Sequence, residues 1–153
     1  MSDVWGTALR AGAARRDPQL GPLDLVVQAP LAIGDDVEHL LGFSRNMAAL
    51  YIGGMGAKGK NFYNSLCRRY GWVEEAEEIQ DLYLAGRKEE AAGRVPDELL
   101  RTMSLVGDEA FVSARLAALR AAGVTTHNVL PLAPTHEGRV DIIGQLRELL
   151  DRA

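Results

Sequence analysis

The 153-residue sequence holds one cysteine, Cys67, and three histidines. A lone thiol closes no internal disulfide, and no His/Cys cluster has the spacing of zinc ligands. The chain therefore reads as a cytoplasmic protein of a reducing compartment, without structural metal. Aromatic residues make up only 6% of the chain, and Trp5 and Trp72 lie far apart, so no platform for base stacking is visible. Positive charge is equally scarce. Seventeen Lys and Arg face 21 Asp and Glu, a formal net charge of -4, which excludes the electropositive excess a nucleic-acid binder sets against phosphate. No run approaches the roughly 18–20 apolar residues that cross a bilayer, and the start at Met1 lacks the basic-then-apolar order of an export leader. Nucleic acid and membrane are thereby set aside as partners. What remains is 47% hydrophobic and 25% charged, the balance of a globular chain, and the length suits one domain over residues 1–153.

The order of apolar segments gives an α/β reading. Leu25–Ile33, between Gly21-Pro22 and Gly34-Asp35-Asp36, reads as a buried strand broken at Pro30. Asp35 or Asp36 then caps a helix over about residues 36–51, whose Val37, Leu40, Leu41, Met47 and Leu50 form one apolar stripe, and Gly53-Gly-Met-Gly ends it. Helices follow from Asn61 to Tyr70, from Glu74 to Leu84 with Gly86 as the stop, from Arg87 to Ala92 as a short turn, and from Pro96-Asp97 onward. Ser104–Gly107 is a short strand, and Asp108 or Glu109 opens a helix with Phe111, Val112, Leu116 and Leu119 inward, closed by Gly123. Val124–Leu132 is a second β-rich run that completes a βαβ unit. Arg139–Arg152 is a last helix in which Val140, Ile143, Leu146 and Leu150 cover the preceding strand. Strands alternating with helices mean a parallel sheet, yet three parallel strands do not bury themselves: such a sheet needs both faces covered and neighbours on both edges.

The densest chemical signal is Gly53-Gly-Met-Gly-Ala-Lys-Gly-Lys-Asn-Phe-Tyr-Asn64. Its glycines let backbone amides approach an anion, and Lys58 and Lys60 supply charge. From Gly54 the order Gly-x-x-x-x-Gly59-Lys60-Asn61 is one residue away from a nucleotide-binding P-loop, which ends in Ser or Thr to ligate magnesium. A solvated helix-to-helix connection and an anion-contacting loop of another kind are the other readings. His39 reads as a surface or packing residue of its helix and His127 as a core histidine. His136 stands in the loop after the last strand, where parallel-sheet enzymes collect site residues. Glu74, Glu75, Glu77 and Glu78 read as a solvated face, and Cys67, beside Arg68 and Arg69, as a structural thiol.

The run Leu50–Asn64, with Tyr70-Gly-Trp72, Ile79–Gly86 and Val95-Pro-Asp-Glu-Leu99, resembles the C-terminal half of luciferase-like oxidoreductases and monooxygenases that use the deazaflavin coenzyme F420. Ser104–Gly107 and Ala121–Thr126 are similar to the last two βα units of that family, and the resemblance runs from about Val4 onward. It implies a (β/α)8 TIM barrel, here partial: the last three βα units with a helical insertion over about residues 52–103. A complete barrel takes about 250 residues, so the five strands not seen here would account for the missing neighbours. The resemblance further implies hydride transfer at C5 of the coenzyme ring, held largely by the early strands. This part is left as the wall near the coenzyme tail or substrate. Gly53, Gly54, Gly56, Lys58, Gly59, Lys60 and Asn61 are then candidate anion contacts and His136 a candidate contact to a small-molecule substrate, with no catalytic residue assigned. It also implies an apolar residue where His127 stands. The implied partners are a complementing N-terminal half or a second copy. The alternative functions are a non-catalytic module that pairs through its exposed sheet edge, and a P-loop nucleotide binder.

Overall fold

The computed structural model describes residues 5–152; the readings that fall on Met1–Val4 lie outside them. Three strands, β1 (Val26–Ile33), β2 (Leu105–Gly107) and β3 (Thr126–Pro131), form one parallel sheet in the order β2-β1-β3. Leu31 of β1 is level with Leu105 on one side and Pro131 on the other. Successive side chains of a strand point to opposite faces, so the sheet has two cores. Ala29, Leu31 and Leu105 join Val112, Leu116, Leu146 and Leu149 of α7 (Glu109–Ala121) and α8 (His136–Arg152). Ala32 and Val106 face a helical layer on the opposite side.

That layer begins with a 3-10 segment, Glu38–Ser44, and continues through α2 (Arg45–Ala49), a π-helical turn at Leu50–Gly54, α3 (Phe62–Arg69), α4 (Val73–Leu84), α5 (Lys88–Gly93) and α6 (Asp97–Thr102). Its core is built on Ala48, Ala49, Ala76, Ala91 and Ala92 around Ile79 and Leu100, small side chains that let short helices approach closely. Gly86, with φ +82°, ends the α4 turn in a conformation that favours glycine. Asp108 caps α7 by accepting the Phe111 N–H at 2.7 Å. A further helix, α1 (Thr7–Ala13), buries no residue and has no counterpart in the sequence reading.

Several expectations are corrected. β1 runs unbroken through Pro30. Its alternate residues bond to opposite sides: the Leu31 carbonyl accepts from the Leu132 N–H on the β3 side, whereas the Gly34 N–H donates to the Gly107 carbonyl on the β2 side. Pro30 shares the parity of Gly34, and at its level the β2 ladder has not begun, so its missing N–H breaks no bond. The single helix over 36–51 is three segments, without a side-chain cap from Asp35 or Asp36. It extends through Gly53 and Gly54, and Met47 is exposed rather than on an apolar stripe. The last helix starts at His136, not Arg139. Its buried residues are Leu146 and Leu149, while Val140 and Ile143 face solvent.

The largest departure is the strand order. Consecutive units of a barrel lie side by side in chain order with all helices outside, but here β1 is central, between β2 and β3. The β1–β2 connection covers one face and α7 the other. This is what right-handed crossovers dictate when the chain moves one way to β2 and back past β1 to β3. The sheet is still not fully covered, because β3 has no buried residue.

Leu31 is fully buried at the sheet centre, whereas Leu130 is 47% exposed on β3. Leu31→Ala is expected to cost about 2–5 kcal/mol by cavity creation, and Leu130→Ala less than about 0.5 kcal/mol, both read from urea unfolding midpoints. Equal losses would contradict the placement of β1 between the two cores.

Candidate functional site

The Gly53–Asn64 run folds as a junction between two helix ends. Helices leave their last carbonyls and first N–H groups without intrahelical partners, and Asn61, 1% exposed, serves both sets. Its Nδ2 donates to the carbonyls of Tyr51 and Ile52 at 2.9 and 3.0 Å, closing the π-helical turn. Its Oδ1 accepts from the N–H groups of Tyr63 and Asn64 at 2.9 and 3.1 Å, capping α3. Asn64 adds donations to the carbonyls of Ile52 and Ala76, and Gln80 donates to that of Gly56. The glycines answer to packing. A Cβ on Gly53 or Gly54 would stand 2.5 or 2.4 Å from Tyr83, and one on Gly56 would stand 3.0 Å from the Lys60 carbonyl.

The seven candidate anion contacts are thus brought together, with different groups left over. Asn61 is committed to backbone on both sides of its amide. Lys58 pairs with Asp81. Lys60 is exposed beside Gly59, whose φ of +74° turns the chain in the left-handed region. The P-loop reading is corrected, because that motif follows a strand and here it follows a π-helical turn.

His136 opens α8 and is exposed. The turn before it is pinned by the Gly138 N–H donating to Thr135 Oγ1 at 3.1 Å and by Arg139 Nη1 donating to the Ala133 carbonyl at 3.1 Å. The glycine run lies in one helical layer and His136 in the other, with the sheet between. His39 is an exposed residue whose Nδ1 lies 2.8 Å from the Asp36 carbonyl. Burial, and then the charge of Glu75, push the Cys67 thiol up to about 11, an inert group. Glu77 and Glu78 pair with Arg68 and Arg94, as a solvated face does. Among the described residues no group of three or more His, Cys, Asp or Glu is placed to hold a metal ion, and no helix is long and apolar enough to cross a membrane.

An open groove of about 570 Å³ was not legible in the sequence. Glu38 and Leu41, Glu98 and Arg101, and Phe111 and Arg115 line it from three separate elements, a convergence that no local pattern signals. Arg101 bridges to Glu38 and lies over the Phe111 ring at 5.3 Å, and Arg115 donates to the Thr102 carbonyl.

His127 lies on β3 on the face covered by α7 and α8. Its Nδ1 is buried without a hydrogen-bond partner. Burial and then the nearby Arg120 push its pKa below the usual histidine value. The folded state therefore favours neutral imidazole. Its stabilising share is complete above the unfolded-state pKa near 6.5 and is lost as pH falls below that value. Unfolding midpoints are expected to drop between pH 7.5 and 5, with a smaller drop in His127→Val; an unchanged pH profile in that variant would refute this. Asn61→Ala, which strips four hydrogen bonds from two helix ends, is expected to cost about 2–4 kcal/mol. Lys60→Ala should cost less than about 0.5 kcal/mol; comparable losses by calorimetry would contradict the structural role of Asn61.

Comparison with known proteins bears on this arrangement. Residues 2–126 match the family model described as luciferase-like monooxygenase. A Mycobacterium tuberculosis protein that bears the provisional name coenzyme F420-dependent oxidoreductase is 38% identical over 127 residues, which are 82% of this chain and 37% of that protein. The structure is similar to that of the coenzyme F420-dependent tetrahydromethanopterin reductase of Methanopyrus kandleri. The TM-score is 0.58 at 23% identity, over 80% of this chain and 34% of the reductase, a likeness of fold. The chain spans about a third of the length of these relatives. With the match running from before β1 through the glycine junction, β2 and α7, the chain belongs to the luciferase-like monooxygenase family.

Proposed function

We propose that this chain supplies the C-terminal part of a cytoplasmic, luciferase-like oxidoreductase that uses coenzyme F420 on a small-molecule substrate. In this reading the remaining barrel strands come from polypeptide outside these residues, and about residues 52–103 are the helical insertion. The observation that carries it is the bare sheet. Val26, 56% exposed, and Leu130 share a face that the helical layer leaves open, and no residue of β3 is fully buried. Apolar residues on a parallel strand are normally covered on both faces.

The residues present fit the coenzyme's tail and not its ring. Lys60 is free to meet an anion beside Gly59, and Lys58 would have to leave Asp81 to join it. Neither the groove lined by Glu38, Arg101 and Phe111 nor the smaller one against α1 includes the glycine run or His136. The coenzyme supplies hydride chemistry at that ring when bound. This chain's own contribution is a charge at the tail and, at His136, an exposed side chain at the end of the sheet where substrates of α/β proteins approach.

A second reading, an interaction module, is favoured by the outer edge of β3. By the alternation described above, His127 and Val129 turn their N–H groups away from β1, and Pro131 ends that free row. Such an edge accepts a further strand, from a second copy or another chain.

In a fluorescence titration the isolated chain is expected to bind F420 with Kd weaker than about 100 μM, and to turn over no substrate. Joined to the missing strands, it should bind in the micromolar range, and Lys60→Ala should weaken that binding by up to about fivefold, the scale of one exposed ionic contact. Micromolar binding with turnover by the isolated chain would overturn the first reading. A monomer by light scattering at all concentrations would overturn self-association through the β3 edge.

A further inference from the structure

β3 ends the sheet, and its outer margin lies beside a second uncovered surface. Even-numbered residues of this segment bond to β1, as the Leu132 N–H does to the Leu31 carbonyl, so His127 and Val129 direct their N–H and carbonyl groups outward. The helix above that margin is α8, which packs on β1 and β3 while α7 packs on β2. Arg152 of α8 reaches Glu109 of α7 at 3.0 Å, which marks the flank that faces α7. Ile143 stands nine residues earlier in the helix, about two and a half turns, and so lies on the opposite flank, toward the free edge of β3. Val140, one turn back, joins it. The two are 46% and 54% exposed, and Leu130 is exposed on the reverse face of β3. A strand edge with open donors is thus bordered by uncovered apolar side chains on both sides of the sheet.

We infer that this margin docks a second copy of the chain, with the two β3 strands paired antiparallel about a twofold axis through Asn128. The inference rests on the reading of the β3 edge as an interaction edge, and names its partner. A twofold axis along the sheet normal sets like edges antiparallel, and the edges that meet this way are self-complementary. With the axis at Asn128, each His127 faces Val129 of the second copy, and the two pairs exchange four N–H···O=C bonds. No donor is then asked of Pro131, which has no N–H, or of Thr125, whose N–H is already given to the Leu25 carbonyl. On the reverse face Leu130 meets Thr126 of the second copy. The helices suit the same axis. Strands lie about 4.8 Å apart, so an α8 seated over the β1–β3 pair stands about 5 Å from the axis and about 10 Å from its copy, the spacing of packed helices. Ile143 and Val140 then fill the seam between them. α8 has 17 residues, a flank about 25 Å long. With the strand edge it offers each copy on the order of 700 Å², close to the roughly 800 Å² per partner of a stable interface. A foreign strand would cover the edge and leave the α8 flank bare.

Light scattering of the whole chain should show dimers with Kd of about 1–100 μM. Ile143→Glu should weaken them at least about tenfold, because each copy would bury a carboxylate in an apolar seam, while the urea midpoint of the monomer changes little at so exposed a site. Mild oxidation of cysteine variants reads the register. Asn128→Cys sets two thiols in a non-hydrogen-bonded pair about 4.5 Å apart at Cα, within the range of a disulfide, and should crosslink. Thr126→Cys alone should not, since its two copies lie four residues apart along the strands, about 14 Å; mixed with Leu130→Cys it should. Cys67 is buried and stays out of the reaction. A fluorescent peptide of residues 124–131 separates this inference from the reading beneath it. A chain that binds the peptide yet remains a monomer overturns the dimer and keeps the edge reading, and a chain that does neither overturns both. Dimers that Ile143→Glu leaves intact, or that crosslink equally through Thr126→Cys alone, overturn the twofold arrangement.

Discussion

The arrangement of the helical layer depends on one side-chain amide. Asn61 sits where a helix ends and the next begins, and a buried helix end must find partners for several backbone groups at once. A single carboxamide has both a donor and an acceptor end, so it satisfies carbonyls behind it and N–H groups ahead of it. Neither Asp nor Leu, residues of similar size, does both. Once Asn61 is fixed, the π-helical turn is fixed, and with it the face of Gly53 and Gly54 that lies against Tyr83. The loop that carries Lys58 and Lys60 therefore projects from a rigid base, although its own residues are exposed. A spelling close to a phosphate-binding loop thus arises from the needs of helix packing: glycines where an aromatic ring presses on backbone, and an asparagine where two helices meet.

The sheet meets the opposite problem, too few strands for its two faces. Small residues help on one side, where Ala32 and Val106 admit the alanine-rich layer closely, and branched residues of α7 and α8 fill the other. Its prolines fall where they cost no ladder bond. Pro30 faces a level that β2 does not reach, and Pro131 faces the free edge. A proline on an outer edge also removes a donor from a row that another strand would pair with, which shortens the sticky margin of β3 to two N–H groups.

Much of this was legible in the sequence, and the failures have particular causes. The three strands, the four short helices between Asn61 and Thr102 and the Asp108 cap announce themselves through local signals: apolar runs, a glycine just past a helix, an acidic residue before one. The break expected at Pro30 failed because the rule against proline in a central strand concerns bonds. Those depend on how far β2 extends, a property of residues some 75 positions away. The apolar stripe expected in the last helix failed at Val140 and Ile143, which stay exposed while α8 buries only Leu146 and Leu149 fully. The role of Asn61 was half visible: the residue was singled out for an anion, whereas its partners are carbonyls and N–H groups of its own layer. Strand order was the least legible, since parallel strands of similar composition carry no mark of which neighbour each will take.

Family membership and strand order do not pull equally on every part of the chain. The family match ends at residue 126, the first residue of β3, so it covers β1, the helical layer, β2 and α7 and stops where the departure from barrel order begins. The pairing of β1 with β2, the one contact between consecutive strands, lies within the matching stretch and keeps the order a barrel requires. The β1–β3 pairing is the element that differs. An edge of β1 left open would expose a row of backbone donors and acceptors, and the chain's own last strand is the nearest group able to pair with them. The same physics that pairs neighbouring strands round a barrel pairs β3 with β1 here, satisfying that edge with the strand within reach and leaving the outer edge of β3 unpaired.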